Sequence, residues 1–155
     1  MYGDDVSCQT GMIMSPALWR RFFKPRMERI IAAARELSPR IPVFYHSDGD
    51  CRAIVEDLIE IGVTILNPVQ PECMDPADMK CRYGDRISFW GTIGIQGTLP
   101  FGTVDDVRRE VKLRMDTVGK GGGLLLGPSH MIEPEVPWEN LVALYEAIDE
   151  YGVYR

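Results

Sequence analysis

The spacing of apolar residues changes several times along this chain, and each change marks a new element. Over "SPALWRRFFKPRMERIIAAAREL" (15–37), Leu18, Phe22, Met27, Ile30, Ile31 and Ala34 recur near a 3.6-residue period, which predicts an amphipathic helix. Ser15 is placed to cap it, and Pro16 fits the first turn, where no N–H partner is lost. Pro25 is expected to kink this helix or split it in two. "IPVFYH" (41–46) follows as a short, bulky, almost unbroken apolar run, the pattern of a strand buried on both faces of a parallel sheet.

The alternation then repeats. "DCRAIVEDLIEIG" (50–62) has apolar residues at Ile54, Leu58 and Ile61 and closes on a glycine, and it feeds into the strand "VTILNPV". "DPADMKCRYGD" reads as a short helix capped by Asp75, and "ISFWGTI" as the strand after it. "TVDDVRREVKLRMDTVG" opens on Thr103 with acids in its first turn, "GGLLLG" is a strand, and "PWENLVALYEAIDEYG" is a helix from near Pro137 to Gly152. Four strand–helix units preceded by a helix, with strands starting near Ile41, Val63, Ile87 and Gly122, call for a parallel sheet with right-handed crossovers. The spacing is that of a (β/α)8 TIM barrel, yet such a barrel needs ~250 residues, so 1–155 reads as one half-barrel domain.

A half barrel leaves two apolar sheet edges open to pairing. Three arrangements would close it: a homodimer of half-barrels, a flattened sheet covered on both faces, or membership in a longer protein. The start "MYGDDVSC", with no preceding strand, favours the last.

Composition narrows the function. With 45% apolar and 26% charged residues the chain is an ordinary globular domain. Its net charge of -6, with 17 scattered basic residues, argues against nucleic acid as a partner. No segment reads as a signal peptide or approaches the ~18 apolar residues of a membrane span, so the expectation is a cytoplasmic protein without a membrane partner. Cys8, Cys51, Cys73 and Cys81 are expected to be reduced thiols, and no CxxC pair offers a structural zinc knuckle.

In parallel α/β layers function gathers at the carboxyl ends of the strands. The four loops there read "HSDGD", "NPVQPE", "GTIGIQGT" and "GPSHMIEP", and they hold both histidines of the chain, His46 and His130. A histidine serves as acid or base near neutral pH, and Asp48 stands beside His46 as hydrogen-bond or metal partner. Asn67, Gln70, Gln96 and Ser129 are candidate contacts to a small-molecule substrate, although Asn67 and Gln70 are equally suited to capping loop carbonyls. "KGGGLLLG" has its glycines at the amino end of a strand, away from that face, and "GTIGIQG" lacks the spacing of a dinucleotide fingerprint.

Taken together, "DD-x(3)-Q-x-G-x-x-x-SP-x-LW-x-x-FFKP", "FYHSDG", "DLIEIGVTILNPVQPE", "YGDRISFWGTIGIQGTLPFGT" and "GGGLLLGPSHMIEPEVPWEN" resemble the uroporphyrinogen decarboxylase superfamily, which includes corrinoid-dependent methyltransferases. The resemblance covers essentially the whole chain and implies the carboxyl-terminal half of the family's barrel. For a decarboxylase it implies a cleft histidine after the last strand, at His130, and no cofactor. For a zinc methyltransferase it implies His-x-Cys at the strand ending in His46 and a cysteine near the last strand. Here Asp48 replaces the first cysteine and Ser129-His130 occupies the later region, so thiolate-bound zinc of the family type is not expected, while His46 and Asp48 could hold a harder metal ion weakly. The family's arginine-rich segment and its pyrrole-stabilising aspartate belong to the amino-terminal half. Asp4 and Asp5 match an acidic pair of other family members, without equivalence to that aspartate.

Three readings follow: a uroporphyrinogen-decarboxylase-like protein using His130, His46 and Asp48; a corrinoid-type methyltransferase acting on a methyl donor or thiol; and a non-catalytic, self-associating half-barrel. No residue is assigned as a metal ligand from sequence, and the cofactor is open between none and a metal ion.

Overall fold

The computed structural model describes residues 2–154. A two-residue strand, β1 (Tyr2–Gly3), leads into a hairpin of β2 (Ser7–Cys8) and β3 (Gly11–Met12). Ser15 then accepts a hydrogen bond from the Leu18 N–H at 3.2 Å and opens α1 (Pro16–Phe22). Pro25 does split the predicted long helix: it lies in the first turn of a separate α2 (Lys24–Leu37), where its missing N–H costs nothing. Next come β4 (Phe44–His46), a 3₁₀ turn over Arg52–Ile54, and α3 (Val55–Glu60). The chain continues through β5 (Ile65–Val69), α4 (Pro76–Tyr83) and β6 (Ser88–Ile93). A short α5 (Thr98–Phe101), α6 (Val104–Thr117), β7 (Leu124–Pro128) and α7 (Trp138–Tyr151) complete it. Asp75 and Thr103 cap α4 and α6 as expected, Thr103 through a reciprocal capping box with Asp106.

The sheet order is β1-β4-β5-β6-β7, all parallel. The four expected strands are four of these five, and the architecture is that of part of a TIM barrel. The fifth corrects the expectation that no strand precedes the helix. β1 has two residues and no apolar run, so only its pairing, Gly3 opposite His46, defines it. β5 and β6 fall within the runs "VTILNPV" and "ISFWGTI" read as strands, so Asn67 and Pro68, and Gly91–Ile93, are strand residues at the start of the functional loops. At the other end, Gly121, Gly122 and Gly123 all have φ between 77° and 90°, a left-handed turn that delays β7 until Leu124.

One face of the sheet is buried. Tyr45, Leu66, Phe89 and Leu124 pack with Trp19, Met27, Leu58 and Met79 in the main core. A second cluster joins Ile93 and Leu99 to Val107 and Val111 of α6 and to Ala143, Leu144 and Ala147 of α7. The opposite face carries Phe44 and Trp90, whose rings meet edge to face at 5.0 Å, and Trp90 and Leu125 stay 41% exposed.

A charged cluster ties the helical layer together. Asp57 of α3, 6% exposed, accepts from Arg20 Nε at 2.9 Å and from Lys24 Nζ at 2.9 Å. Burial pushes the Asp57 carboxyl up, but the bonds from Lys24 and Arg20 outweigh it and hold it below the usual carboxylate range. A depressed folded-state pKa contributes stability that is present above the unfolded value, about 3.9, and is lost as pH falls through the folded value. Asp57→Asn is therefore expected to flatten the acid limb of stability against pH in urea titrations from pH 7 down to 3. An unchanged slope would remove Asp57 from the acid response.

Candidate functional site at the carboxyl ends of the strands

His46 ends β4 directly opposite Asn67 in the β4–β5 register. Registered neighbours on parallel strands share a face, and His46 Nδ1 lies 2.7 Å from Asn67 Oδ1. An amide oxygen only accepts, so Nδ1 donates to it and Nε2 is the ring nitrogen turned toward the carboxylates.

The loop after His46 is held by the amino-terminal hairpin. The Val6 N–H donates to Ser47 Oγ at 3.2 Å, Ser7 Oγ donates to the Asp48 carbonyl at 2.6 Å, and the Asp50 N–H donates to the Cys8 carbonyl at 2.9 Å. Between them Gly49 adopts φ 80°, and a Cβ there would lie 2.4 Å from the Cys8 oxygen. Only glycine permits this approach.

The loop thereby fixes Asp48 between both histidines. Asp48 Oδ1 is 3.8 Å from His46 Nε2, and Asp48 Oδ2 is 3.6 Å from His130 Nε2, so each carboxylate oxygen faces one ring. Asp5, from the segment between β1 and β2, accepts the Asp48 N–H on Oδ1 at 3.0 Å, and that oxygen lies 3.7 Å from His46 Nε2. These nitrogen–oxygen distances exceed direct hydrogen bonds, so the coupling among the four side chains is electrostatic.

A cavity of about 330 Å³ opens beside them. Asp48 and His130 line it, with Gln70, Gln96, Cys8 and Gln9 among the other walls. Gln70 is 6% exposed and accepts the Gly49 N–H at 3.3 Å, while Gln96 is held by its N–H to Glu72 Oε1 at 3.0 Å. Gln9 donates to the Gln96 side chain, which joins the hairpin tip to the loop after β6. Of the side chains expected here from sequence, His46, Asp48 and His130 come together, and Gln70 and Gln96 line the cavity. Asn67 holds His46, and Ser129 is 3% exposed, its Oγ unpartnered among the described residues.

Sequence reasoning missed Asp5, Cys8 and Gln9, because their placement depends on a two-residue strand and a hairpin without an apolar pattern. The Asp4–Asp5 pair was the one legible signal. The four cysteines are free thiols: burial pushes Cys51 up to about 12, and the Thr10 hydroxyl beside Cys8 holds that thiol below its ordinary value.

A second polar layer lies behind the loop after β6. Glu110 Oε1, on α6, accepts from Arg114 Nη2 at 2.9 Å and from the Gly94 N–H at 3.3 Å. Arg114 Nε donates to the Thr92 carbonyl at 2.9 Å, and Thr92 has φ 80°. The carboxyl end of β6 is anchored by this ion pair.

The family model described as uroporphyrinogen decarboxylase (URO-D) matches residues 2–151. A methylcobamide:CoM methyltransferase, MtaA, of Methanosarcina barkeri is 32% identical over 139 residues, covering 90% of this chain and 38% of that protein. A uroporphyrinogen decarboxylase of Legionella pneumophila (strain Corby) is 28% identical over 140 residues, with the same coverage of 90% and 38%. Among solved structures, a methyltransferase from Methanosarcina mazei superposes with a TM-score of 0.75 at 26% identity, covering 97% of this chain and 41% of its own. The chain therefore spans about two-fifths of the length of the relatives it matches.

Proposed function

The chain belongs to the uroporphyrinogen decarboxylase family, and from that premise we propose that its cleft is part of a methyl-transfer site of the corrinoid-methyltransferase kind. One observation carries this reading: the cleft sets a carboxylate between two imidazoles, each carboxylate oxygen facing one ring. A thiol acceptor calls for a base held beside a carboxylate, which this arrangement supplies. The decarboxylase reading accounts for His130 after β7 but gives no role to the carboxylate that joins it to His46.

In the proposed reaction a thiol R–SH attacks a methylated corrinoid. The S–CH3 bond forms, the methyl–cobalt bond breaks with its electron pair left on cobalt, and the thiol proton must leave. His130, its side chain 41% exposed, takes that proton, and Asp48 Oδ2 stabilises the imidazolium. Gln70 and Gln96 offer amide contacts for orienting the acceptor. The metal ion of the family's methyltransferase branch fits His46 Nε2 and Asp48 Oδ1, a nitrogen and an oxygen facing one another with no thiolate between them, and when bound it supplies Lewis acidity toward the acceptor.

Methylcobalamin incubated with the chain and 2-mercaptoethanol, followed by the corrinoid's visible absorbance, tests the reading. The protein is expected to accelerate demethylation, and His130→Ala to slow it about a hundredfold, the lower range of acid–base contributions. No acceleration, or an equal rate in the variant, would reject methyl transfer at this cleft.

A further inference from the structure

We propose that the open face and edges of the sheet are the docking surface for a second copy of this chain, and that the two copies close into one parallel barrel. The inference is independent of the chemistry assigned to the cleft. A parallel sheet is normally covered on both faces. Here one face packs on helices, while the other presents Phe44, Trp90 and Leu125, and Trp90 and Leu125 stay 41% exposed. The edges are open in the same way: among the described residues β1 pairs only with β4, and β7 only with β6. The chain exposes 8558 Å², whereas a folded monomer of its 17.5 kDa exposes about 7,900 Å² by the scaling of surface with mass. The excess, roughly 700 Å², approaches the ~800 Å² that each partner contributes to a standard interface.

Strand direction decides how the copies meet. All five strands are parallel, so a twofold axis along them lays β7 of one copy beside β1 of its partner in the parallel sense, and does so twice. Both edges are then paired, and the two apolar faces share one interior. A twofold perpendicular to the sheet would join like edges antiparallel and leave the other edges and the Trp90 face open. The closed ring holds eight strands of three to six residues and two β1 strands of two, close to the eight of a TIM barrel. Both clefts lie at its carboxyl end, so each gains a wall from the partner's loops. The helices brought together are complementary. α7 packs on α6 through Ala143, Leu144 and Ala147, and its Trp138 and Tyr145 are 73% and 61% exposed. It carries four acidic residues and no basic one, whereas α1 and α2 of the partner, which follow β1, carry six basic and two acidic. Arg26 and Arg29 of α2 flank Ile30 and Ala33 around an open groove of about 340 Å³. An aromatic helix with acidic flanks fits an apolar groove with arginine flanks.

Light scattering of the purified chain over micromolar concentrations is the test, and a particle of twice 17.5 kDa is expected. Trp90→Glu places a charge that the exposed face of a single copy tolerates and a closed interior does not. It should raise the dimer dissociation constant at least about thirtyfold with an unchanged circular dichroism spectrum. Ile30→Glu on α2 and Tyr145→Arg on α7 should each weaken the dimer as well. Mixed together, those two variants should pair again, because one helix contact of the mixed dimer is unaltered and the other joins the new acid to the new base. A wild-type chain that stays monomeric, or that aggregates without a defined mass, would overturn the proposal and assign the face to another partner, such as the remainder of a family barrel. Unchanged affinity in Trp90→Glu would overturn the face, and a mixture that fails to pair would overturn the closure of β7 on β1.

Discussion

Replacing Gly49 with alanine is expected to destabilise the fold by roughly 2–4 kcal/mol and to release the amino-terminal hairpin from the cleft. Two penalties combine. A φ of 80° strains any residue with a Cβ, and here that Cβ would fall 2.4 Å from the Cys8 oxygen, a backbone atom that cannot swing aside. Relief requires moving β2, which breaks the bonds from the Asp50 N–H to the Cys8 carbonyl and from Ser7 Oγ to the Asp48 carbonyl. Asp5 precedes β2 on the same segment, so its carboxylate should leave the His46 ring. Urea denaturation gives the stability change, and the NMR shifts of the His46 ring and the Asp48 amide report the loss of Asp5. Gly11→Ala is the matched control: its φ is 135°, but its added Cβ meets nothing within 4 Å, so strain acts there without the clash. Equal destabilisation of the two variants would mean that the clash contributes nothing.

Glu110→Ala should destabilise the chain by about 3–5 kcal/mol, the usual consequence of removing one partner from a buried ion pair. Glu110 is 9% exposed, and its partner Arg114 has a side chain 13% exposed, so the orphaned guanidinium has little access to water. The Gly94 N–H loses its acceptor at the same time. Converting both residues to leucine should recover much of the loss, because two apolar side chains leave no unpaired charge, although the Thr92 carbonyl then loses its donor. A double-mutant cycle in urea checks this. If the single and double variants were equally unstable, the pair would act through packing volume alone. The functional corollary is a displaced Gln96, since the loop that carries it starts at the anchored end of β6.

The capping residues and breakers were legible because their chemistry is local. Ser15, Asp75 and Thr103 cap helices through their own side chains, and Pro25 ends one helix and opens another whatever surrounds it. The alternating strands and helices were legible too, because the helices carry a 3.6-residue apolar period and the strands stand between them as short apolar runs. The cleft was half legible. His46, Asp48 and His130 stand just past apolar runs, where a parallel sheet puts its functional loops.

By itself the sequence determined the order of strands and helices, the parallel sheet that such an order requires, and the end of that sheet where polar loops collect. Each of these depends on side chains within a few residues of one another. Only the tertiary structure decided that a two-residue strand brings Asp5 to His46, that Gly49 must lack a side chain to admit the hairpin, and that Asp48 divides its oxygens between two histidines. Apart from the Asp48–His46 pair, these contacts join residues 41 or more positions apart, and no local period encodes a meeting between segments that do not share an element.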